Sequence, residues 1–271
     1  MPDEIILTKA LRIATTYRCP LNCPVCYAGH SDVDMDEDTF RFFIEEGMKL
    51  DFESIAFGGG EPLVNKDQIK EFLGIAKERG YDNAVTTSGV NLTPEYLDEL
   101  VKCGLDHLQL SIGYNRQNFP DKMKLLDGTK KVQWGINFLV DPRKIPDLPA
   151  IHKALEQTDC EYIVYIVPRV GDELQHLRFT YNQVIAYVMI LSKIQQLSKK
   201  LFFVGCATNF LRNQVCLGLE KGVSISADGK ISMCGYCDRW VKVNGSLKDA
   251  INEFNENQFT GKCEILRQFI R

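Results

Sequence analysis

Apolar and polar positions along the chain follow two alternating periods. Leu11-Arg12-Ile13-Ala14-Thr15-Thr16 reads as a strand, and Asp36 to Leu50 sets Phe40, Phe43, Ile44 and Met48 at helical spacing. Glu53 to Phe57 is a short strand that runs into Gly58-Gly59-Gly60. Lys66 to Arg79 is the next helix, stopped by Gly80. Asn83 to Thr87 and Asp106 to Ile112 read as strands, with a helix opened between them by Thr93-Pro94-Glu95. Val132 to Val140 and Tyr162 to Val167 complete the strands, and Asp147 to Gln157 and Tyr181 to Lys199 read as helices. The segment near 118–131 gives no clear period.

Strands that alternate with helices imply a parallel sheet with the helices outside. About six βα units fit before the pattern changes, where a full barrel needs eight in ~250 residues. The expectation is therefore an open, partial (β/α)6 TIM-like barrel over residues 1–199. A smaller, cysteine-rich domain is expected over 200–271. It carries the turn Ala227-Asp228-Gly229-Lys230 between two short alternating runs, which is a hairpin signal, and a helix near 247–256.

Composition narrows the class. The chain has 271 residues, 45% of them apolar and 25% charged, enough for a sizeable core and unlike a disordered chain. A net charge of −4 gives no electrostatic case for nucleic acid or an anionic membrane as the main partner. No apolar run approaches the ~20 residues of a membrane span. The start, Met1-Pro2-Asp3-Glu4, lacks the basic region of a secretory signal. Ten cysteines are too many to ignore, and all but Cys103 and Cys160 cluster towards the two ends. With no export signal, two metal sites and a cytoplasmic location are expected rather than a disulfide framework. Cys103 and Cys160 are expected to be small buried hydrophobes.

The first cluster is Cys19-Pro20-Leu21-Asn22-Cys23-Pro24-Val25-Cys26-Tyr27, directly after the first strand. Three thiolates on one loop leave one iron of a 4Fe–4S cluster open, as catalytic zinc sites keep one position free. A zinc loop is the alternative. One βα unit later comes Gly59-Gly60-Glu61-Pro62, where glycines let backbone approach a ligand closely and proline fixes the exit. The cysteine spacing, the aromatic after it and the Gly-Gly-Glu-Pro segment together resemble the radical SAM superfamily, over about residues 10–170.

That resemblance implies a 4Fe–4S cluster on Cys19, Cys23 and Cys26, with S-adenosylmethionine (SAM) chelated to the open iron. Tyr27, Gly59, Gly60, Glu61 and Pro62 would belong to the cofactor site. Ser88, Ser111 and Asn137, on the third to fifth strands, would face the cofactor, and Val167 would lie where adenine packs. Ile112 is followed by Gly113 where the family often has an aspartate, so no carboxylate contact is implied there. The implied chemistry is one-electron cleavage of SAM to a 5′-deoxyadenosyl radical, which takes hydrogen from the substrate. A low-potential ferredoxin or flavodoxin would supply the electron.

Cys206, Cys216, Cys234, Cys237 and Cys263 follow the barrel. The Cys216…Gly229…Cys234 pattern resembles the SPASM and twitch extensions of that superfamily, and the shorter twitch form fits better. It implies a second, auxiliary 4Fe–4S cluster on Cys206, Cys216, Cys234 and Cys237, with Cys263 as an alternative ligand. Cys-x-x-Cys suits zinc equally well. An auxiliary cluster implies net oxidation, since it can accept the second electron. A small-molecule substrate is expected, because the cluster loop begins at residue 19 with no leader-binding domain before it. Modification of a ribosomally made peptide is the alternative, and a non-enzymatic iron–sulfur scaffold or redox sensor is a third reading. Acid–base candidates at the mouth are Tyr114 and Arg169, the latter also able to hold a carboxylate.

Overall fold

The computed structural model describes residues 9–26, 28–112, 119–168, 170, 172–204, 222–232, 234–235 and 239–256. Six strands form where the alternation predicts them: β1 (Ala10–Thr16), β2 (Ser54–Gly59), β3 (Asp82–Thr87), β4 (His107–Ile112), β5 (Gln133–Leu139) and β6 (Tyr162–Ile166). The sheet then goes further than expected. β7 (Leu201–Val204) pairs in parallel with β6, so the apolar run after Lys199-Lys200 extends the parallel sheet. At the other edge β8 (Gly222–Ile225) lies parallel to β1, with Ala10 opposite Gly222 and Ile13 opposite Ile225. β9 (Lys230–Ser232) turns back on β8, and β10 (Val241–Lys242) adds to β9. One ten-stranded sheet thus runs β10-β9-β8-β1-β2-β3-β4-β5-β6-β7. The expected hairpin exists, and it continues the same sheet.

Helices α1 (Glu37–Met48), α2 (Lys66–Glu78), α3 (Pro94–Lys102), α4 (Phe119–Leu126), α5 (Leu148–Leu155) and α6 (Tyr181–Leu197) fill the crossovers, and α7 (Leu247–Glu256) follows the last strand. Asp36 caps α1 by accepting from Thr39 N at 2.8 Å, and Thr93 caps α3 ahead of Pro94. Alternate strand residues such as Leu11, Ile13, Ile55, Phe57, Val85, Leu108 and Leu110 are buried with the helix side chains in one core. Phe40 of α1 stacks on Phe72 of α2 at 4.0 Å between centroids.

The other face of β1 to β4 and of β6 is mostly only partly buried. It carries small and polar residues: Ala14, Ala56, Ala84, Thr86, Gln109, Ser111 and Tyr162. The Tyr162 ring lies on Gly135, where any Cβ would collide with it. Small residues here keep the inner face open, so the carboxyl ends of the strands surround a usable space.

Candidate active site

The cysteine loop is a closed excursion between β1 and α1. Tyr17 N donates to Val33 O at 2.9 Å, and Met35 N donates to Thr15 O at 2.9 Å. Thr16 Oγ1 donates to Asp34 Oδ1 at 2.6 Å, and the Arg18 guanidinium pairs with the same carboxylate. These bonds fix both ends of residues 17–34. Within the loop Cys26 N donates to Cys23 O at 3.1 Å, which turns the chain between two thiols.

Cys19 and Cys23 are half-buried, Cys26 is exposed, and none is in a disulfide. Burial pushes the Cys19 and Cys23 thiols up, and negative charge on Cys26 raises both further. Glu61 adds to the effect at Cys19. Three thiolates this close repel one another unless a cationic group lies between them. Three thiols on one loop are a donor set that suits a 4Fe–4S cluster, with one thiolate per iron.

Gly59 and Gly60 perform a role different from a simple opening towards a ligand. A Cβ at Gly59 would collide with the Thr16 carbonyl, and one at Gly60 with the Arg18 carbonyl. Gly59 also sits at φ +114°, a region that favours glycine. Gly60 N donates to Thr16 O at 2.7 Å, and Glu61 N donates to Arg18 O at 2.9 Å. The glycines let this segment press against the root of the cysteine loop. Its N–H groups are spent there, so carbonyl oxygen, chiefly that of Gly60, is what the segment can offer a ligand. It suits a donor such as an ammonium group.

Glu61 is buried to 1% exposure and acts as a clamp. Its carboxylate accepts from Leu63 N at 3.2 Å, Thr87 Oγ1 at 2.6 Å, Ser88 N at 2.8 Å and Ser88 Oγ at 2.6 Å. Those four bonds occupy both oxygens and tie the end of β3 to the turn after β2. Pro62 is buried at the start of the 3-10 turn Pro62–Val64. Ser88 spends its hydroxyl proton on Glu61 and presents its carbonyl to Lys122 Nζ at 2.9 Å.

Ser111 and Asn137 stand opposite each other on β4 and β5. Asn137 Nδ2 donates to Gln109 Oε1 at 3.2 Å, which also accepts from Thr86 Oγ1 at 3.0 Å. Tyr162 is hydrogen-bonded to Gln109 as well, and burial pushes its hydroxyl up to about 12. This neutral band crosses the inner face below the mouth. Sequence reasoning missed Gln109 and Tyr162. Their polar type at strand positions that alternate with Leu108, Leu110 and Ile163 was the available signal.

Val167 packs into the main core, and its neighbour Pro168 faces the mouth instead. A cavity of about 250 Å³ opens there, walled by Val25, Leu139, Pro142, Pro168 and Leu177 on one part and by the charged Asp141, Arg143 and Lys144 on the rest. Val25, from the cysteine loop, also packs with Val170 and Leu177. At the opposite edge, hydrogen bonds from Ala227 and Ser226 reach Tyr17, whose hydroxyl burial pushes up. The β8–β9 turn thus touches the first residue of the cysteine loop.

Cys234 is half-buried just past β9 and packs against the main core. Cys160 is fully buried, and Cys103 is half-buried at the end of α3. Tyr27, Tyr114, Arg169, Cys206, Cys216, Cys237 and Cys263 lie outside the described residues. No described helix is long and apolar enough to cross a membrane.

Residues 13–134 match the family model described as Radical SAM superfamily. The fold is similar to that of Streptococcus suis SuiB bound to S-adenosylmethionine. The TM-score is 0.71 at 15% identity, over 96% of this chain and 72% of that one. It is also similar to anSMEcpe with bound AdoMet and Cp18Cys peptide, with a TM-score of 0.70 at 16% identity over 96% and 87% of the two chains. Methylornithine synthase (PylB) gives 0.60 at 12% identity, over 93% and 82%. At these identities the likeness is one of fold.

Proposed function

We propose that the chain is a radical SAM enzyme that abstracts hydrogen from its substrate, in a net oxidation aided by a second iron–sulfur cluster. The observation that carries the first part is the tie between the cysteine loop and the Gly-Gly-Glu-Pro turn, Gly60 N to Thr16 O and Glu61 N to Arg18 O. It sets three unpaired thiols and a carbonyl-presenting turn side by side at the carboxyl ends of a parallel sheet, where ligands bind in such folds. Cys19, Cys23 and Cys26 would hold the first 4Fe–4S cluster. Bound there with SAM, it supplies one-electron, hydrogen-abstracting chemistry.

The chain's own residues bind, orient and exclude water. The Gly60 carbonyl accepts from the SAM ammonium group. Ser111 and Asn137 face the ribose hydroxyls. The cavity walled by Val25, Leu139 and Pro168 takes the adenine, and Val25 closes it from the loop side. The neutral band of Thr86, Gln109 and Tyr162 forms the floor against which a polar substrate is held. Cys206, Cys216, Cys234 and Cys237 would hold the auxiliary cluster, with Cys263 as the alternative ligand. When bound, that cluster would supply a one-electron acceptor for a net oxidation.

A small molecule is the substrate class expected from the sequence. A peptide is the second reading, favoured by the peptide present in the structure of anSMEcpe. A ferredoxin or flavodoxin is the expected electron donor.

Iron counting on anaerobically reconstituted protein tests the cluster assignments. Wild type is expected to hold about eight irons and a Cys216→Ala/Cys234→Ala variant about four, with 5′-deoxyadenosine released from SAM under reduction. About four irons in both proteins would remove the auxiliary cluster and the oxidative reading with it. No 5′-deoxyadenosine from iron-loaded wild type would leave the scaffold or sensor reading in its place.

A further inference from the structure

In the sheet β1 has two neighbours, β2 on one side and β8 on the other. The root of the cysteine loop, at the end of β1, is held from both. On the β2 side the Gly60 and Glu61 N–H groups bond to Thr16 O and Arg18 O. On the β8 side the register that sets Ile13 opposite Ile225 carries the β8–β9 turn up to Tyr17. The Tyr17 hydroxyl is hydrogen-bonded there to the Ala227 backbone and the Ser226 side chain. Gly229, at the tip of the turn, lies against α1, where a Cβ would come 3.2 Å from Thr39 Cγ2. Asp36 caps α1 on that same Thr39, accepting from its N–H and its hydroxyl, both at 2.8 Å. The turn therefore touches the chain just before the first thiol and again just after the loop rejoins the fold.

The turn is built to hold its shape. Ser226 and Ala227 are buried. Ser226 N donates to Lys230 O at 2.8 Å, Gly229 N donates to Ser226 O at 3.0 Å, and Lys230 N donates to Ser226 Oγ at 2.8 Å. Lys230 Nζ meets Asp228 Oδ2 at 2.5 Å. Further on, Leu247 N at the start of α7 donates to the buried Glu46 of α1 at 2.8 Å, so the C-terminal region grips α1 at a second point. The loop has less of its own. Its two arms meet as one short pair, with Tyr17 N on Val33 O and Met35 N on Thr15 O. A two-stranded pair is marginal in water without outside support. On the β8 side that support comes from residues more than 200 positions along the chain.

We propose that the β8–β9 turn is a positioning element for the first cluster, acting through the Tyr17 hydroxyl on the loop that carries Cys19, Cys23 and Cys26. The assignment rests on the first-cluster reading above, and it gives the C-terminal region a role that needs no second cluster. A hydrogen bond to a fixed turn sets the direction of Tyr17, two residues before Cys19, and with it the path of the chain into the first thiol.

Reconstituted holoenzyme, reduced with and without SAM, tests it. Tyr17→Phe keeps the ring and removes the bond. It is expected to alter the EPR signal that responds to SAM, and to release that cluster's iron to a chelator about fivefold faster. Ser226→Ala is expected to change both in the same direction. The double variant should be no worse than Tyr17→Phe alone, because the turn acts through that hydroxyl. A wild-type signal and release rate in Tyr17→Phe would mean that the turn only packs on the loop. Faster release with an unchanged signal would mean that the bond supports the fold without setting the thiols. Additive losses in the double variant would mean that the two residues act separately. Each of these results overturns the assignment. A wild type with no SAM-responsive signal would instead sink the cluster reading on which the assignment stands.

Discussion

The mouth of the sheet is built in two different ways on its two sides. On the β1–β3 side nearly every group is tied by a hydrogen bond. Thr16, Arg18 and Asp34 lock the root of the cysteine loop, Gly60 and Glu61 bond back to that root, and the Glu61 carboxylate gathers Thr87 and Ser88. On the β5–β6 side the cysteine loop is met by apolar packing, although charged Asp141, Arg143 and Lys144 line the cavity beside it. Val25 meets Val170 and Leu177, and a cavity of about 250 Å³ remains beside them. Hydrogen bonds specify distance and direction, whereas apolar contact specifies little more than volume. The cluster proposed for Cys19, Cys23 and Cys26 would need thiols at set positions, so the tied side lies where error would cost most. The apolar side suits a flat, weakly polar group that needs only to be covered.

The largest expected effect tests the tied side. Glu61→Ala leaves the Thr87 hydroxyl, the Ser88 N–H and hydroxyl, and the Leu63 N–H without their acceptor in a buried setting. A loss of about 3 kcal/mol in urea unfolding of the metal-free protein is expected. A loss below about 1 kcal/mol would show that water or side-chain movement replaces those bonds, and the contrast between the two sides would fail. The apolar side should respond less. Val25→Ala removes two methyl groups next to space that is already partly open, so about 1 kcal/mol is expected. Its stronger consequence should be for adenine-containing ligands, whose affinity should fall while the iron content stays unchanged. Loss of iron in Val25→Ala would show that the apolar contacts also hold the cysteine loop in place.

The two sides also differ in how much of them was legible in the sequence. Alternation exposed most of the six strands because they bury one face under helices and leave the other partly open, while β5 is buried on both. It did not reveal β7, since Leu201-Phe202-Phe203-Val204 has no polar alternation and follows a helix that is apolar on most faces. The hairpin after Ile225 was visible from its Asp-Gly turn, but its place was not. Pairing of β8 with β1 joins residues more than 200 positions apart, which no local pattern encodes. At the site, Cys19, Cys23, Cys26 and Gly59 to Pro62 stand out by type and spacing. What they do is less visible. Whether a glycine yields to a ligand or to the chain's own carbonyl depends on tertiary approach. Lys122 falls in a stretch with no clear period, and its partner lies 34 positions away.

Behind the β5–β6 side a buried polar cluster joins sheet to helices, and it gives the smallest effect. His152 of α5 is buried, with Nδ1 2.7 Å from Tyr165 Oη on β6 and Nε2 2.9 Å from Ser198 Oγ at the end of α6. Ser198 Oγ also lies 2.9 Å from Glu156 Oε1. Burial pulls the His152 pKa below its ordinary value of 6.5, and the nearby Glu156 charge opposes this only in part. The unfolded chain therefore binds a proton more readily than the folded one. The neutral ring stabilises the fold fully above about pH 6.5, and that contribution is lost as pH falls below it through the folded pKa. Urea unfolding from pH 7.5 to 5 should show wild type losing stability faster than His152→Gln as the pH drops. Parallel curves for the two proteins would mean that Glu156 offsets the burial of the ring.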